Sequence, residues 1–370
     1  MRKRITAIIA AALLSISLTA CGSKDDGLSD VTEATENVVD TEMLADLTET
    51  TESEEEEEVL PEGMYRSELT NELIDESLKN QRPIAAMVDN ESIALPHYGM
   101  SQADVVYELM NSTLNGRITR FMVLVKDWDK IEQLGSIRSV RPTNVILASE
   151  WNAVLCHDGG PFYNDKYFEE PWADHFSGTF SRVDNGKKRE YTEYIVKGDL
   201  QSNFERTEVP KEYTSYYEGP HYQFASEKNP VDLSGMEGVI DAKTIKMPFP
   251  HNGSYLEYNE EDQLYYYYEY DKAHVDPGNG NAQLCFKNLL IQSCGYTQLD
   301  EHGYMIFDCY SPGYGYYVTN GKAIYVSWKK ESMTSPTRYY DSVGNEITLN
   351  TGKTYVGFVP VDDFTDLVIE

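Results

Sequence analysis

The sequence predicts an α/β domain followed by a mainly β domain (a sandwich or barrel), both behind an export signal and an acidic tether. Three observations predict this plan. An uncharged apolar run ends at a cysteine near the N-terminus, and a long acidic stretch follows it. The remaining residues then change from alternating strand and helix patterns to short tyrosine-rich strands. The predicted segments are a signal peptide (1–20), a lipidated tether (21–80), an α/β domain with connector (81–234) and a β-rich domain (235–370).

The first twenty residues have the pattern of a signal peptide. Three basic residues at positions 2–4 precede the uncharged run 5–20, which is shorter than the about 20 apolar residues that span a bilayer. The run ends at Ala20 and Cys21 in a pattern that resembles the lipobox of bacterial lipoproteins. We therefore expect Cys21 to carry a diacylglycerol and to begin the mature chain. Two acyl chains give lasting attachment, so the predicted location is the outer face of the cell membrane.

The stretch 22–62 is predicted to be a disordered tether. Its only basic residue is Lys24, it has no aromatic residue, and it includes the acidic run Glu54–Glu58. It cannot bury enough apolar surface to order itself, and its charges repel each other. The formal net charge of the whole chain is -31, which argues against nucleic acid as a partner, since nucleic-acid binding needs a basic patch.

The first half of the folded part alternates strands and helices. Strands are predicted over Ile84–Val88, Thr119–Val125 and Ala153–His157, from their apolar and β-branched residues. A capping-box pattern and helical spacing of apolar residues predict a helix over 101–110. A second helix is predicted to begin at Pro142, which suits a first turn, and to end near Glu150.

The second half reads as a series of short strands. Asn320-Gly321, a strong hairpin turn signal, lies between two of them. Regularly spaced strands with turns between them are typical of a sandwich or barrel. A proline-containing polar stretch, 205–234, is predicted to be an extended connector. The predicted strands are 254–258, 264–270, 316–318, 323–328, 337–340, 346–349 and 354–359.

Four cysteines besides Cys21 lie in the folded part, at spacings that match no metal motif. Cys285 and Cys294 are predicted to lie on one strand and, at an odd separation, to face opposite sides, so they should not pair with each other. Buried free thiols are expected for Cys156 and Cys309 as well, although an oxidising compartment permits a disulfide. No phosphate-binding loop, dinucleotide fingerprint, zinc motif or nucleophile elbow occurs. Neither a cofactor nor a metal site is predicted.

The segment that carries the most chemistry is a pair of arginines before a predicted helix start and a histidine-glycine turn after the next strand. Arg138 and Arg141 can add bidentate donors to the positive end of the helix. His157 ends the strand, and Gly159 and Gly160 let backbone approach a ligand closely. Together they predict a small anion-binding site. The alternative is that the arginines pair with carboxylates of this acidic chain.

Two other residue pairs are catalytic candidates in the sequence. Cys156 and His157 are neighbours on a strand, so their side chains point to opposite faces and cannot share a proton. Asp174 and His175 form a second pair in a segment without a clear pattern. No catalytic residue is assigned.

The chain resembles the YerB-like lipoproteins of Gram-positive bacteria, a two-part family of unknown function. The resemblance covers roughly residue 82 to the C-terminus. It departs at Asp158 and Pro161, where relatives usually have Ala and Ser, and at 189–192, where relatives tend to have Pro-His-Asn after an arginine. If that histidine is catalytic in relatives, this chain lacks the activity. The motifs that carry the resemblance are Arg82-Pro83-Ile84-Ala85, residues 101–108, Ile118-Thr119-Arg120-Phe121, residues 135–142, His157-Asp158-Gly159-Gly160, residues 318–322, 337–341 and 350–354.

The favoured function is a non-catalytic envelope module that binds a wall component or another surface protein, because the module is tethered and no complete catalytic motif occurs. One alternative is a hydrolase or transferase acting on cell-wall material with Arg138, Arg141 and His157. A solute-binding protein comes third, because an α/β half followed by a β half does not suggest two similar lobes around a cleft.

Overall fold

The computed structural model describes residues 58–370; the predicted signal peptide, Cys21 and most of the acidic tether lie outside that range. Folded structure begins before residue 81, the predicted start of the first domain. Strand β1 (Met64–Arg66) pairs with β2 (Leu73–Asp75), and Leu69 in the turn between them is fully buried. The tether predicted over 21–80 was therefore too long at its C-terminal end. The physical reason is that apolar side chains reappear after the glutamate run and can anchor a hairpin.

The rest of the first half holds all the α-helices of the described residues, and none of them is long and apolar enough to cross a membrane. Its elements are β3 (Ile84–Asp89), β4 (Val105–Met110), β5 (Thr119–Val125), β6 (Gln133–Gly135), α1 (Pro142–Glu150), β7 (Val154–His157), α2 (Asp165–Phe168), β8 (His175–Ser177), β9 (Ser181–Arg182), β10 (Glu193–Val196), α3 (Asp199–Arg206) and β11 (Gln223–Phe224).

The second half consists of strands joined by turns and short 3-10 segments. Its elements are β12 (Ile240–Asp241), β13 (Thr244–Lys246), β14 (Tyr255–Asn259), β15 (Leu264–Glu269), β16 (Lys272–Ala273), β17 (Val275–Asp276), β18 (Ala282–Gln283), β19 (Cys285–Phe286), β20 (Asn288–Cys294), β21 (Tyr296–Gln298), β22 (Met305–Phe307), β23 (Gly313–Thr319), β24 (Lys322–Lys329), β25 (Arg338–Tyr340), β26 (Thr348–Leu349), β27 (Thr354–Pro360) and β28 (Val368–Ile369).

One sheet of eleven strands runs through both halves, in the order β12-β24-β23-β20-β27-β4-β5-β3-β7-β8 with β25 beside β24. Its centre is the parallel pairing of β27 with β4, in which Thr354 lies opposite Val105 and Phe358 opposite Leu109. On its other edge β27 pairs in parallel with β20. Residues 59–370 therefore form one compact unit, although its two halves differ in secondary structure as predicted.

Each face of the central sheet is covered. A six-stranded sheet, β16-β15-β14-β13-β28 with β19 beside β15, packs on one face, where Tyr267 and Phe286 belong to the same buried cluster as Val123 of β5. Helix α1 packs on the opposite face, where Leu147 shares a second cluster with Tyr107. The fold class is confirmed, because helices occur in the first half and two facing sheets form in the second.

The helix predicted over 101–110 is wrong. Residues 100–102 form one 3-10 turn, and Val105–Met110 is the central strand β4. All six residues of β4 are buried, because both faces of the sheet are covered. A strand buried on both faces has no alternation of polar and apolar residues, so chance spacing can match a helix. The other helix is confirmed: α1 begins at Pro142 and ends at Glu150.

The remaining strand predictions agree with the structure apart from shifts of up to three residues at their ends, the largest at the start of β23, and the Asn320-Gly321 turn joins β23 to β24. Cys285 and Cys294 lie on separate strands, β19 and β20, contrary to the prediction of one strand. All four cysteines of the described part are free thiols.

A buried carboxylate, Glu108, holds the centre of the fold together. It lies on β4 and is fully buried. Its Oε2 accepts hydrogen bonds from Tyr355 on β27 (2.8 Å) and Tyr267 on β15 (2.9 Å), and its Oε1 accepts one from Asn252 (2.8 Å). Thr119 on β5 also donates to Oε1. Burial raises the pKa of Glu108 to about 7, while these donors act in the opposite direction by favouring the charged form.

We predict that Glu108→Gln destabilises the fold. The carboxyl group is surrounded by hydrogen-bond donors, and the NH2 group of a glutamine side chain would place two more donor hydrogens opposite those donors. The free energy of unfolding should fall by about 1–3 kcal/mol at pH 5, as measured by urea denaturation. The loss should be smaller at pH 8. Because the pKa of Glu108 is raised in the folded protein, the folded state holds the proton more tightly than the unfolded state does. The resulting stabilisation is fully present below the ordinary pKa of a glutamate and is lost as the pH rises to about 7.

The matched control is Glu257→Gln, because Glu257 is exposed on β14. Its change should stay within about 0.5 kcal/mol. Equal stability of the Glu108→Gln variant and wild type at pH 5 would contradict the role given to this carboxylate.

Candidate functional site

The two segments that the sequence predicts to form a site lie side by side. Arg138–Arg141 leads into α1, and His157–Gly160 follows β7. The backbone N–H of Val140 donates to the carbonyl of Gly159 (3.1 Å), and that of Asp158 donates to the carbonyl of Arg138 (3.0 Å). The structure therefore brings all five predicted residues into one loop pair at the start of α1.

The glycine pair shapes this loop. Gly159 has a φ of +71°, a left-handed conformation that side chains other than glycine rarely adopt. A Cβ on Gly160 would lie 2.4 Å from the side-chain nitrogen of Asn164 and 3.1 Å from the carbonyl oxygen of Val140. Glycine at 160 is therefore required for the close approach of the two loops. The same lack of a side chain is what makes the glycine pair resemble a ligand-binding turn in the sequence.

His157 is buried, and both of its ring nitrogens are occupied. Nδ1 lies 2.8 Å from the carbonyl oxygen of Gly159, and Nε2 lies 3.0 Å from Nδ1 of His175. A carbonyl only accepts, so Nδ1 of His157 carries the proton and its Nε2 accepts from His175. Burial lowers the pKa of His157 to about 4, so the ring is neutral at pH 7. His157 positions the loop and has no nitrogen left for a ligand.

Arg138 is paired, as the alternative interpretation of the sequence expected. Its Nε lies 2.7 Å from the carboxylate of the buried residue Asp89, and its Nη1 lies 3.2 Å from the carboxylate of Glu190. The guanidinium also lies over the ring of Tyr191, 4.9 Å from its centroid. Its side chain is 16% exposed, so part of the guanidinium reaches solvent.

Arg141 is different, because no carboxylate of the described residues pairs with it. It is buried, its Nε donates to the carbonyl of Asn111 (3.2 Å) and its Nη1 donates to the carbonyl of Val140 (3.0 Å). The ring of Tyr304 covers the guanidinium at 4.5 Å. Burial, together with the neighbouring Arg120, lowers the pKa of Arg141 to about 9, which still leaves it charged at pH 7.

Arg120 is a third arginine of this cluster, and sequence reasoning missed it as a site residue. It is buried on β5; its Nη1 donates to the side-chain oxygen of Asn111 (3.1 Å) and to the carbonyl of Ser139 (2.5 Å), while its Nε has no hydrogen-bond partner. Burial lowers its pKa to about 10. The available signal was a charged residue inside an otherwise apolar strand, which is rarely buried without a reason.

Arg120, Arg138 and Arg141 form what we call the arginine cluster. Among the described residues, the only carboxylate buried against it is Asp89, which pairs with Arg138, and Glu190 lies at the exposed rim. The cluster thus places three guanidinium groups against one fully buried carboxylate, while the half-buried Glu91 and Asp300 act on Arg120 and Arg141 without forming ion pairs with them. Uncompensated buried charge is costly, and an anion that entered the cluster would relieve that cost.

An apolar groove adjoins the start of α1. It has a volume of about 360 Å³ and lies between the 162–168 segment and the β21–β22 hairpin. Phe162 at its rim is 70% exposed. The groove offers an apolar surface beside the arginine cluster. Its other lining residues are Pro142, Tyr163, Asp165, Lys166, Tyr167, Leu299 and Ile306.

The other two candidate pairs do not form catalytic dyads. The Cys156 thiol donates to the carbonyl of Val154 and the His157 ring bonds to Gly159 and His175, and burial raises the pKa of the thiol. Asp174 forms a 2.5 Å ion pair with the buried Arg82 and so has a structural partner. His175 instead stacks on Phe168 with a centroid distance of 3.9 Å.

The burial of His157 predicts a pH effect on stability. Its pKa is about 4 in the folded chain, against about 6.5 when unfolded. The unfolded state therefore takes up the proton first, and this group lowers the free energy of unfolding as pH falls from 6.5 to 4, by up to about 3 kcal/mol. The His157→Phe variant should show a smaller loss of stability over the same range in denaturation curves measured at several pH values.

The comparison variant is His302→Gln, because His302 is exposed. It should keep the pH dependence of wild type. If His157→Phe shows the same pH dependence as wild type, the ring is not held neutral by burial.

Comparisons with known proteins agree with this fold. The N-terminal domain described as a protein of unknown function (DUF3048) matches residues 69–210, and the C-terminal domain of the same description matches residues 245–356. The Bacillus subtilis (strain 168) protein named "Putative lipoprotein YerB" is 24% identical over 311 residues, 80% of this chain and 86% of that protein.

The crystal structure of the YerB protein from Bacillus subtilis superposes with a TM-score of 0.70 at 21% identity, covering 82% of this chain and 99% of that chain. That likeness shows a shared fold. The resemblance to YerB-like proteins found in the sequence is therefore confirmed. The chain belongs to the DUF3048 family of proteins of unknown function, and it carries the two domains of that family in order.

Proposed function

We propose that this chain is a lipid-anchored module of the cell envelope that binds an anionic group through the arginine cluster and catalyses no reaction. The observation that carries the proposal is that Arg120 and Arg141 are buried without a carboxylate partner among residues 58–370. A relative named as a lipoprotein and the lipobox pattern at Cys21 support the anchor on the outer face of the membrane.

The ligand is expected to be a carboxylate or phosphate group. Guanidinium groups bind both through charge-assisted hydrogen bonds, in bidentate geometry where two donors face the anion. A chain with a net charge of -31 repels polyanions at long range, so binding depends on the local cluster. The adjoining apolar groove suits a ligand whose anionic group is attached to apolar or sugar-like parts, such as a cell-wall fragment or a segment of an envelope protein.

The non-catalytic part of the proposal rests on how the reactive groups are used. Both nitrogens of His157 are engaged within the protein, and the Cys156 thiol is buried. A general base needs a free nitrogen within reach of the proton it removes. The alternative of a wall-active hydrolase or transferase using His157 therefore lacks an available base in this loop.

Anchoring is tested by Cys21→Ala. Without the thiol no diacylglycerol can be attached, so the protein should move from the membrane fraction to the soluble or secreted fraction on cell fractionation. Cys285→Ala is a suitable control, because this thiol lies in the folded part, and it should leave the protein in the membrane fraction. A Cys21→Ala protein that stays in the membrane fraction contradicts the lipid anchor.

Anion binding is tested by thermal-shift titration with phosphate, sulfate and anionic wall fragments. Each should raise the melting temperature of wild type, and Arg141→Met should abolish this rise. One lost charge-assisted hydrogen bond contributes about 1.5–3 kcal/mol, or roughly a ten- to hundredfold loss of affinity. Methionine keeps most of the buried volume under Tyr304, which limits the change in folding.

Arg206→Met is the matched control, because Arg206 lies at the end of α3 and, within the described part of the chain, its side chain hydrogen-bonds only to Ser202 and Asn203 of that helix. It should keep the full anion response. Equal shifts in all three proteins, or none in wild type, would contradict the anion site. Release of fragments from peptidoglycan by wild type that His157→Ala abolishes would instead favour the catalytic alternative.

A further inference from the structure

A second cluster of polar side chains lies deep in the protein, away from the arginine cluster. His97 comes from the loop between β3 and β4, Glu269 ends β15, and His274 lies between β16 and β17. Their exposures are 0%, 1% and 3%. One ligand atom of each lies within 4.8 Å of the corresponding atoms of the other two. The first half of the chain supplies one of these residues and the second half supplies two.

The potential ligand atoms have no hydrogen-bond partners within the described structure. This holds for both ring nitrogens of His274 and Oε1 of Glu269, while the ring of His97 makes no well-formed hydrogen bond, although the backbone of Asp89 lies beside it. Nδ1 of His274 and Oε1 of Glu269 are 2.9 Å apart, yet their contact lacks hydrogen-bond geometry. Buried polar atoms are almost always satisfied, so a group of such atoms facing one another needs an explanation. A single cation between them would satisfy one atom of each residue.

The surroundings favour ligation. The side chain of Asn252 lies 3.4 Å from Oε2 of Glu269 and can orient that carboxylate. Phe121 packs edge-on against both histidine rings and gives the cluster an apolar wall.

The loop that carries His97 is fixed by other contacts from both halves of the chain. The backbone N–H and hydroxyl of Ser101 donate to the buried carboxylate of Asp276, at 3.2 and 2.7 Å, and Asn279 donates to the Ser101 hydroxyl. The ammonium of Lys187 binds the carbonyls of Ala94 and Leu95. The three ligands are therefore held in place from both sides before any ion binds.

We propose that His97, Glu269 and His274 form a buried site for one first-row divalent ion, with Zn²⁺ as the best match. Two imidazole nitrogens and one carboxylate oxygen are a zinc ligand set, whereas Ca²⁺ and Mg²⁺ prefer oxygen ligands alone. Three protein ligands leave a tetrahedral ion one further position. Because substrates cannot reach the site, the ion would act structurally and tie the His97 loop to the β15–β17 region.

This proposal departs from the sequence expectation of no metal site. Its ligands come from two distant segments, so no local spacing motif could indicate them. It is also independent of the arginine cluster, which shares none of its residues.

The test uses the full chain purified in detergent, stripped with a chelator and dialysed against Zn²⁺. Wild type should retain about one zinc per chain by elemental analysis, and its melting temperature should rise with Zn²⁺ and not with Mg²⁺. His97→Gln should lose most of the bound zinc, and Asn252→Ala should weaken binding about ten- to hundredfold. His302→Gln, a change at an exposed histidine, should bind zinc as wild type does.

A measurement on wild type alone covers the case in which His97→Gln fails to fold. Co²⁺ added to the stripped protein should give the intense visible absorption of a tetrahedral ion, and Zn²⁺ should remove it by displacement. Absence of this absorption, less than about a tenth of a zinc per chain in wild type, or equal zinc in a folded His97→Gln variant would each overturn the proposal.

Discussion

The parallel pairing of β4 with β27 is the contact on which the rest of the structure depends. It joins a strand from the first half to one from the second, and every residue of both strands is buried. Because parallel neighbours must be covered on both faces, this pairing requires α1 on one side and the six-stranded sheet on the other. Each half alone would leave a long, apolar strand edge open, which proteins avoid.

Glu108 shows the cost and the benefit of this arrangement. A carboxylate in the middle of a sheet buried on both faces must find donors, and it finds them on strands from both halves. The network can therefore form only when the two halves assemble in the correct register, since a slipped register would leave a charge buried without partners. The same assembly brings His97 to Glu269 and His274.

The arginine cluster depends on the same sheet in a different way. Arg120 lies on β5, while Arg138 and Arg141 lie on the segment that leads into α1, and Asn111 bonds to both Arg120 and Arg141. Two of the three guanidinium groups are thus placed by backbone carbonyls instead of by carboxylates. This arrangement keeps them rigid and charged, which is what selective binding of an anion requires.

The sequence by itself determined the strand-rich second half, the start of α1 at Pro142, the Asn320-Gly321 hairpin and the proximity of Arg138 to His157, because these depend on local turn chemistry and short connections. Tertiary structure alone decided that 105–110 is a strand, since its neighbours cover both faces and remove the local pattern. It also decided which arginines lack a carboxylate partner among residues 58–370 and which histidine faces Glu269. Those facts depend on contacts between residues far apart in the chain, where local sequence carries no signal.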